Sequence, residues 1–364
     1  MLLEEYWGIG PKTSELLSEE LGVERAVAAI ESADTRTLAA AGLSRGRATR
    51  ILRRATGAES MDLLATRDTR DVYKELLDLA EEYAVTADAA DRVRVLTPLP
   101  TRERMAERLD DVLAARETWA ALAERDREAV LSAFGGHDDG GERAAVETAL
   151  ELQATGVGAG VFERVAGLDA AALEDARAAL VGLAGDGDRV GDGADEELDR
   201  LREQLGQVAD IAAATPDVVE AVRDGARRPD EFQDALVRHV TGETGIDAAR
   251  VRDAMPGEAT DARDFVDAAL RELRRSLRSA VEEREATVSE RLADALADAR
   301  PTIDAAVEAV GDLALSVSLA RFALAYDLRR PTFVDREAIA VRNARTLTLG
   351  DAESVQPVTY AVGD

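Results

Sequence analysis

Between Leu270 and Leu296 the apolar residues recur at intervals of three, four and seven: Leu270, Leu273, Leu277, Val281, Val288, Leu292 and Leu296. That spacing draws one apolar stripe along a helix from about 262 to 298. At 1.5 Å per residue such a helix is roughly 55 Å long, more than the width of an ordinary small domain. Pro301 allows a fresh helix start. A second stripe then runs Ile303, Val307, Val310, Leu313, Val317 and Leu324 until Pro331. A chain with two such stripes is built around long helices.

Composition agrees. Apolar residues make up 46% of the 364, enough for real cores, while aromatics are only 4% and alanine is abundant, which favours helices over β-sandwiches. At this length two or three folding units are expected. No apolar run approaches the ~18 residues of a membrane span and nothing reads as a signal peptide, so a soluble, cytoplasmic protein is expected. Cysteine is absent, which removes disulfides, thiol chemistry and cysteine metal sites together.

The net charge is −28, with 73 carboxylates. Of the 45 basic residues only Lys12 and Lys74 are lysines; the other 43 are arginines. An acidic, lysine-poor surface of this kind suggests a halophilic protein, kept soluble in concentrated salt. A negative total then argues little against nucleic acid, and the place where positive charge survives becomes informative. It survives at the front. Residues 1–57 carry eight acids and eight bases, and Arg45, Arg47, Arg50, Arg53 and Arg54 fall within ten residues, with no acid from Thr35 to Ala58.

This front segment reads as four or five short helices punctuated by Gly8, Gly10, Gly22, Gly42, Gly46 and Gly57. Longer helices follow from Met61 to Phe134, broken by the prolines of "TPLP" (97–100), and Met105, Leu109, Val112 and Leu113 mark a buried face. "GGHDDGG" (135–141) reads as a linker or exposed turn, and "GDGDRVGDG" (185–193) as a second acidic break. After Pro331 the pattern turns strand-like in "TFVDREAIAVRNARTLTL" and "VQPVTYAVGD".

Residues 6–16, "YWGIGPKTSEL", pose the functional question, because Gly8-Ile9-Gly10 followed by Lys12 could cradle phosphate in two ways. A Walker-type loop needs Gly, four residues and Gly-Lys-Ser/Thr after a buried strand, and neither lysine has that context. A dinucleotide turn needs a third glycine where Thr13 stands. The turn instead resembles the helix-hairpin-helix family, in which a Gly–apolar–Gly turn exposes backbone N–H groups at the start of a helix to a DNA phosphate. The resemblance gives those places to Gly8, Ile9, Gly10, Lys12 and Thr13. A second hairpin further along supplies Gly42, Leu43 and Ser44, with Arg45, Arg47 and Arg50 beside it; Ser44 stands where the second glycine usually is.

Residues 83–117 resemble the core helices of the MutS family around that family's Pro-Leu turn, here Pro98-Leu99, and its Arg-Leu-Asp-x-Val helix, here Arg108 to Val112. Ala90-Asp91-Arg92 replace the family's Gly-Lys-Arg. Residues 303–345 are similar to the segment that closes that core, with Asp312, Leu313, Ser318 and Ala320, then Arg330-Pro331. The stripe at 262–298 matches a lever helix of that family, and "VQPVTYAVGD" the strand before its phosphate-binding loop.

The resemblance implies a mainly α fold with a short β segment at the C-terminus, in five parts. They are a tandem helix-hairpin-helix DNA-binding domain (1–57), the first core helices (60–134), a connector or lever-clamp region with acidic loops (135–261), a long lever helix with a returning core helix (262–330), and the first strands of a truncated ATPase domain (331–364). It implies the DNA-binding portion of a mismatch or recombination repair protein, gripping duplex, mismatched or branched DNA through phosphates. No catalysis and no cofactor are expected in this chain, ATP and Mg being implied only for a full-length relative. Dimerisation is expected to be weak without the ATPase domain, and repair proteins are the implied partners. The alternative is a non-catalytic helical protein whose hairpin module docks a protein partner.

Two further patterns read as non-functional. Asp186, Asp188, Gly191 and Glu197 have the spacing of a calcium loop, but Val190 and Gly193 stand at positions that need an oxygen ligand and an apolar residue. His137 and His239 are the only histidines, about 100 residues apart, which disfavours zinc or histidine catalysis.

Overall fold

The computed structural model describes residues 3, 6, 9–32, 34–43, 47–49, 51–52, 63–136, 141–184, 189–224, 228–347 and 356–363. The fold is mainly helical with a short antiparallel β segment near the C-terminus. The chain forms two compact units, Met1–Glu174 with Pro301–Asp364, and Asp175–Arg300. Their limits fall at 174/175 and 300/301.

In the first unit, α1 (Pro11–Glu20), α2 (Val23–Glu31) and α3 (Thr35–Ala40) are followed by helical residues 47–49, 51 and 52. Pro11 at the first helical position starts α1, where its missing N–H costs nothing. Gly22, at φ +77°, turns the chain into α2 in a conformation that disfavours any residue with a Cβ. Asp34 caps α3 by accepting from the Thr37 N–H at 2.8 Å. Their apolar faces meet in one core of Ile9, Leu17, Ala26, Ile30, Leu38, Leu43, Ile51 and Leu52. Val95 joins that core from the next helices, so the module is not closed on itself.

The remaining helices of this unit are α4 (Arg67–Glu81), α5 (Ala87–Arg94), α6 (Arg102–Ala121), α7 (Glu124–Gly135), α8 (Gly141–Ala154) and α9 (Glu163–Ala166). Each of the first three begins at a threonine cap, Thr66, Thr86 and Thr101, whose hydroxyl accepts from the N–H three residues on. The "TPLP" turn separates α5 from α6. On α6 the buried residues are Ala115 and Trp119, while Met105, Leu109, Val112 and Leu113 are only half-buried. The periodicity located a face and overstated how completely it is covered. Of "GGHDDGG", residues 137–140 lie outside the described residues; Gly135 ends α7 and Gly141 opens α8.

One helix, α15 (Ala262–Ala325), replaces the two expected on either side of Pro301, which lies inside it. The fresh helix start expected at Pro301 is therefore overturned: a proline at a first helical position and one within a long helix look alike in sequence. Within the first unit, the part of α15 after Pro301 buries Ile303, Val310, Leu313 and Val317, but leaves Val307 exposed.

That part of α15 meets the residues after Tyr83 through specific polar contacts. Ser318 is fully buried; its Oγ donates to the Ala314 carbonyl at 2.6 Å and accepts from the Val85 N–H at 3.1 Å. Arg92 donates to Asp312 at 2.8 Å, and Arg330 pairs with Asp110 at 2.8 Å. Tyr83, Phe322 and Tyr326 pack as tilted and edge-to-face rings with centroids 5.2 to 6.0 Å apart.

After Pro331, β3 (Ile339–Ala344) and β4 (Val358–Val362) pair antiparallel, Ile339 opposite Val362 and Val341 opposite Tyr360. The strand pattern is thus realised, and its apolar side chains stay largely exposed.

In the second unit, the end of α10 (Ala170–Gly182) leads to a two-residue hairpin, β1 (Leu183–Ala184) with β2 (Arg189–Val190). The segment read as an acidic break is therefore framed by a hairpin, although 185–188 lie outside the described residues. Four helices follow: α11 (Glu196–Ala213), α12 (Thr215–Asp224), α13 (Pro229–Thr244) and α14 (Ala248–Asp253). They pack with the first part of α15, whose stripe residues Leu270, Leu273, Leu277, Val281 and Val288 are buried as expected. Leu292 and Leu296 are half-buried.

Candidate nucleic-acid interface

The first turn is built from Ile9 outward. Ile9 is buried in the module core, and its N–H donates to the Tyr6 carbonyl at 3.1 Å. Anchoring the apolar residue there leaves Gly10 exposed as the cap residue of α1, its carbonyl accepting from Thr13 N–H (2.9 Å) and Ser14 N–H (3.0 Å). Gly10 lies at φ −91°, ψ 173°, an extended conformation open to any residue. What distinguishes the position is space. A Cβ built on Gly10 meets no atom of the described residues within 4 Å, so among them the start of α1 is open to an approaching group. Lys12, in the first helical turn, is also exposed. The leading N–H groups of a helix lack intrahelical acceptors and carry the positive end of its dipole, an arrangement that favours an anion.

Thr13 is placed differently from the expectation. It is only 3% exposed, and its hydroxyl accepts from Arg47 Nη2 at 2.7 Å. Its side chain is turned into the module and offers nothing to an outside phosphate.

The second turn starts where α3 ends. Gly42, at φ +88°, takes the left-handed conformation that closes the helix, its N–H donating to the Ala39 carbonyl at 3.1 Å. Leu43 then enters the same core as Ile9. Arg47 is exposed while its guanidinium reaches Thr13. Gly8, Ser44, Arg45 and Arg50 lie outside the described residues. The residues brought together are therefore Ile9 with Leu43, through the core, and Thr13 with Arg47, directly. The second pairing escaped the sequence, which places both residues at turns without saying which way a hydroxyl points.

Among the described residues, no group of three or more histidine and carboxylate side chains is placed to hold a metal ion. Asp186, Asp188 and His137 lie outside those residues, and Glu197 pairs with Arg200. No helix among the described residues is long and apolar enough to cross a membrane.

The first unit also holds an open cleft of about 1130 Å³ lined by α2, α5, α8 and the later part of α15. Its floor is apolar, with Leu77, Phe134 and Leu315, and its walls carry carboxylates. Several of those acids are already engaged: Asp312 by Arg92 and Arg164, Glu308 by Arg164, and Asp34 by Thr37.

No protein-family model, no curated protein and no solved structure matches this chain.

Proposed function

We propose that the chain binds DNA through phosphates, with its N-terminal module as the grip. The observation that carries this reading is the construction of the module. Two Gly–apolar turns insert Ile9 and Leu43 into one core, and the first leaves the start of α1 open above Gly10. Gly8, Gly10 and Lys12 would hold one phosphate through backbone donors and charge. Gly42, Ser44, Arg45 and Arg50 would hold another. The charge balance of residues 1–57 supports the assignment, since the remaining chain carries the whole −28.

The resemblance of residues 83–117 and 303–345 to the MutS core extends the proposal to the DNA-binding portion of a mismatch or recombination repair protein, non-catalytic in this chain. Three contacts support treating those stretches as one core: Val85 with Ser318, Arg92 with Asp312, and Asp110 with Arg330.

A salt titration of duplex binding, followed by fluorescence anisotropy, tests the reading. Phosphate contacts release counterions, so log K should fall linearly with log salt, by about 0.9 per contact. Affinity that is absent at every salt concentration would leave the module as a protein-docking element.

A further inference from the structure

Arg47 reads most simply as one more phosphate contact, being exposed and cationic in the arginine-rich turn. The geometry points to another role. Its guanidinium donates from Nη2 to the hydroxyl of Thr13 at 2.7 Å, across 34 residues of sequence. The same offset relates the two turns: Gly8 to Gly42, Ile9 to Leu43, Gly10 to Ser44 and Thr13 to Arg47. The bond therefore joins equivalent positions of two repeats. A contact of this kind ties one repeat to the other at matching places in their helices. The acceptor is well fixed, because Thr13 is 3% exposed and lies in the first turn of α1. A charged donor makes the bond stronger than a neutral pair would.

We infer that Arg47 is a positioning residue that, through Thr13, locks the first hairpin to the second, so that both turns are held at one separation. The consequence for DNA rests on the proposed function: a locked pair meets two phosphates at once without a cost in ordering when it binds. Thr13, which touches no ligand, then matters to binding as much as Arg47 does.

The chain has no cysteine, so two labels can be introduced cleanly. Nitroxides at Glu19→Cys on α1 and Thr49→Cys in the second hairpin report the separation by pulsed electron–electron resonance, in the full chain without DNA. Thr13→Val keeps the shape and removes the acceptor; it should broaden the distance distribution. Thr13→Ser restores the hydroxyl and should restore the narrow one. An unchanged distribution in a folded Thr13→Val protein overturns the lock, whatever DNA does.

Duplex affinity then separates positioning from contact. Thr13→Val and Arg47→Ala should weaken binding by the same factor, roughly three- to ten-fold for the loss of one hydrogen bond, and the double variant should be no weaker. The salt slope should be kept in all three. A slope lower by about 0.9 in Arg47→Ala, with wild-type affinity in Thr13→Val, would make Arg47 an ordinary phosphate contact and overturn the inference. Broadening in a chain that binds no duplex would remove the phosphate reading and leave the lock standing.

Discussion

Arg284 grips Asp195 with both arms of its guanidinium, Nε to Oδ1 at 2.9 Å and Nη2 to Oδ2 at 2.8 Å. The same carboxylate caps α11 by accepting from the Leu198 N–H at 3.0 Å, and its side chain is 7% exposed. One acid thus fastens the start of α11 to the long helix α15 within the second unit. The hydrogen bonds from Arg284 hold its carboxyl down at about 2, against burial, which pushes the other way.

A pH dependence follows. The folded form favours the ionised carboxylate, so its contribution is complete above the ordinary value of 3.8 and is lost as pH falls through about 2. Asp195→Asn keeps a capping oxygen and removes the charge, and should flatten that part of the acid unfolding curve. Asp195→Ala removes the cap as well and should cost about 2 kcal/mol near neutrality. Urea unfolding followed by circular dichroism from pH 2 to 6 checks both. A wild-type acid limb in Asp195→Asn would show that other carboxylates set it.

Gly182 makes a second joint in the same unit. A Cβ there would lie 2.8 Å from Leu292 Cδ2 and 3.0 Å from Cδ1, closer than side chains pack. Gly182→Ala should therefore lose stability by about 1 kcal/mol, despite the better helix propensity of alanine. Because the clash is with the tip of one side chain, adding Leu292→Ala should remove the penalty specific to Gly182→Ala. Additive losses in the double variant would place the strain elsewhere.

Pro301 offers the opposite case. Within a helix a proline forfeits the N–H that would bond four residues back and crowds that carbonyl, at a cost of about 3 kcal/mol. Pro301→Ala should raise helical content and increase stability by about 1 to 3 kcal/mol. Far-ultraviolet circular dichroism with thermal unfolding measures it, and a lower midpoint would mean that the residue relieves strain in its surroundings.

The same proline marks how far the fold is legible in the sequence. The 3.6-residue period of Leu270 to Val288 identified a helix face that is in fact buried, since burial against neighbours is what imposes the period. Continuity through Pro301 was hidden, because local chemistry allows both a start and an interior position. Val307 kept the period yet lies exposed beside the cleft, so a stripe records a direction and says nothing of what covers it. At the candidate site, Ile9 and Leu43, the apolar residues beside the glycines, are buried in one core. The inward hydroxyl of Thr13 depends on Arg47, a partner in the other hairpin, and could not be read from its neighbours.

The openness at Gly10 allows the phosphate reading to be probed without disturbing the fold. Gly10 lies at φ −91° with no atom of the described residues near its missing Cβ, so Gly10→Val should fold normally. Its branched side chain would stand in the space through which a phosphate must approach the leading N–H groups of α1. Affinity for duplex should fall at least ten-fold if that approach is used, a loss typical of blocking charge-assisted hydrogen bonds. Lys12→Ala, which removes charge and leaves the backbone donors in place, should lower the salt slope by about 0.9. Phosphate contacts position a protein and carry no base information, so each loss should be the same on every duplex sequence. Anisotropy titrations in molar potassium salt on two unrelated sequences make the measurement. Wild-type affinity in a folded Gly10→Val protein would remove the first turn from the interface, and a loss confined to one sequence would point to base contacts instead.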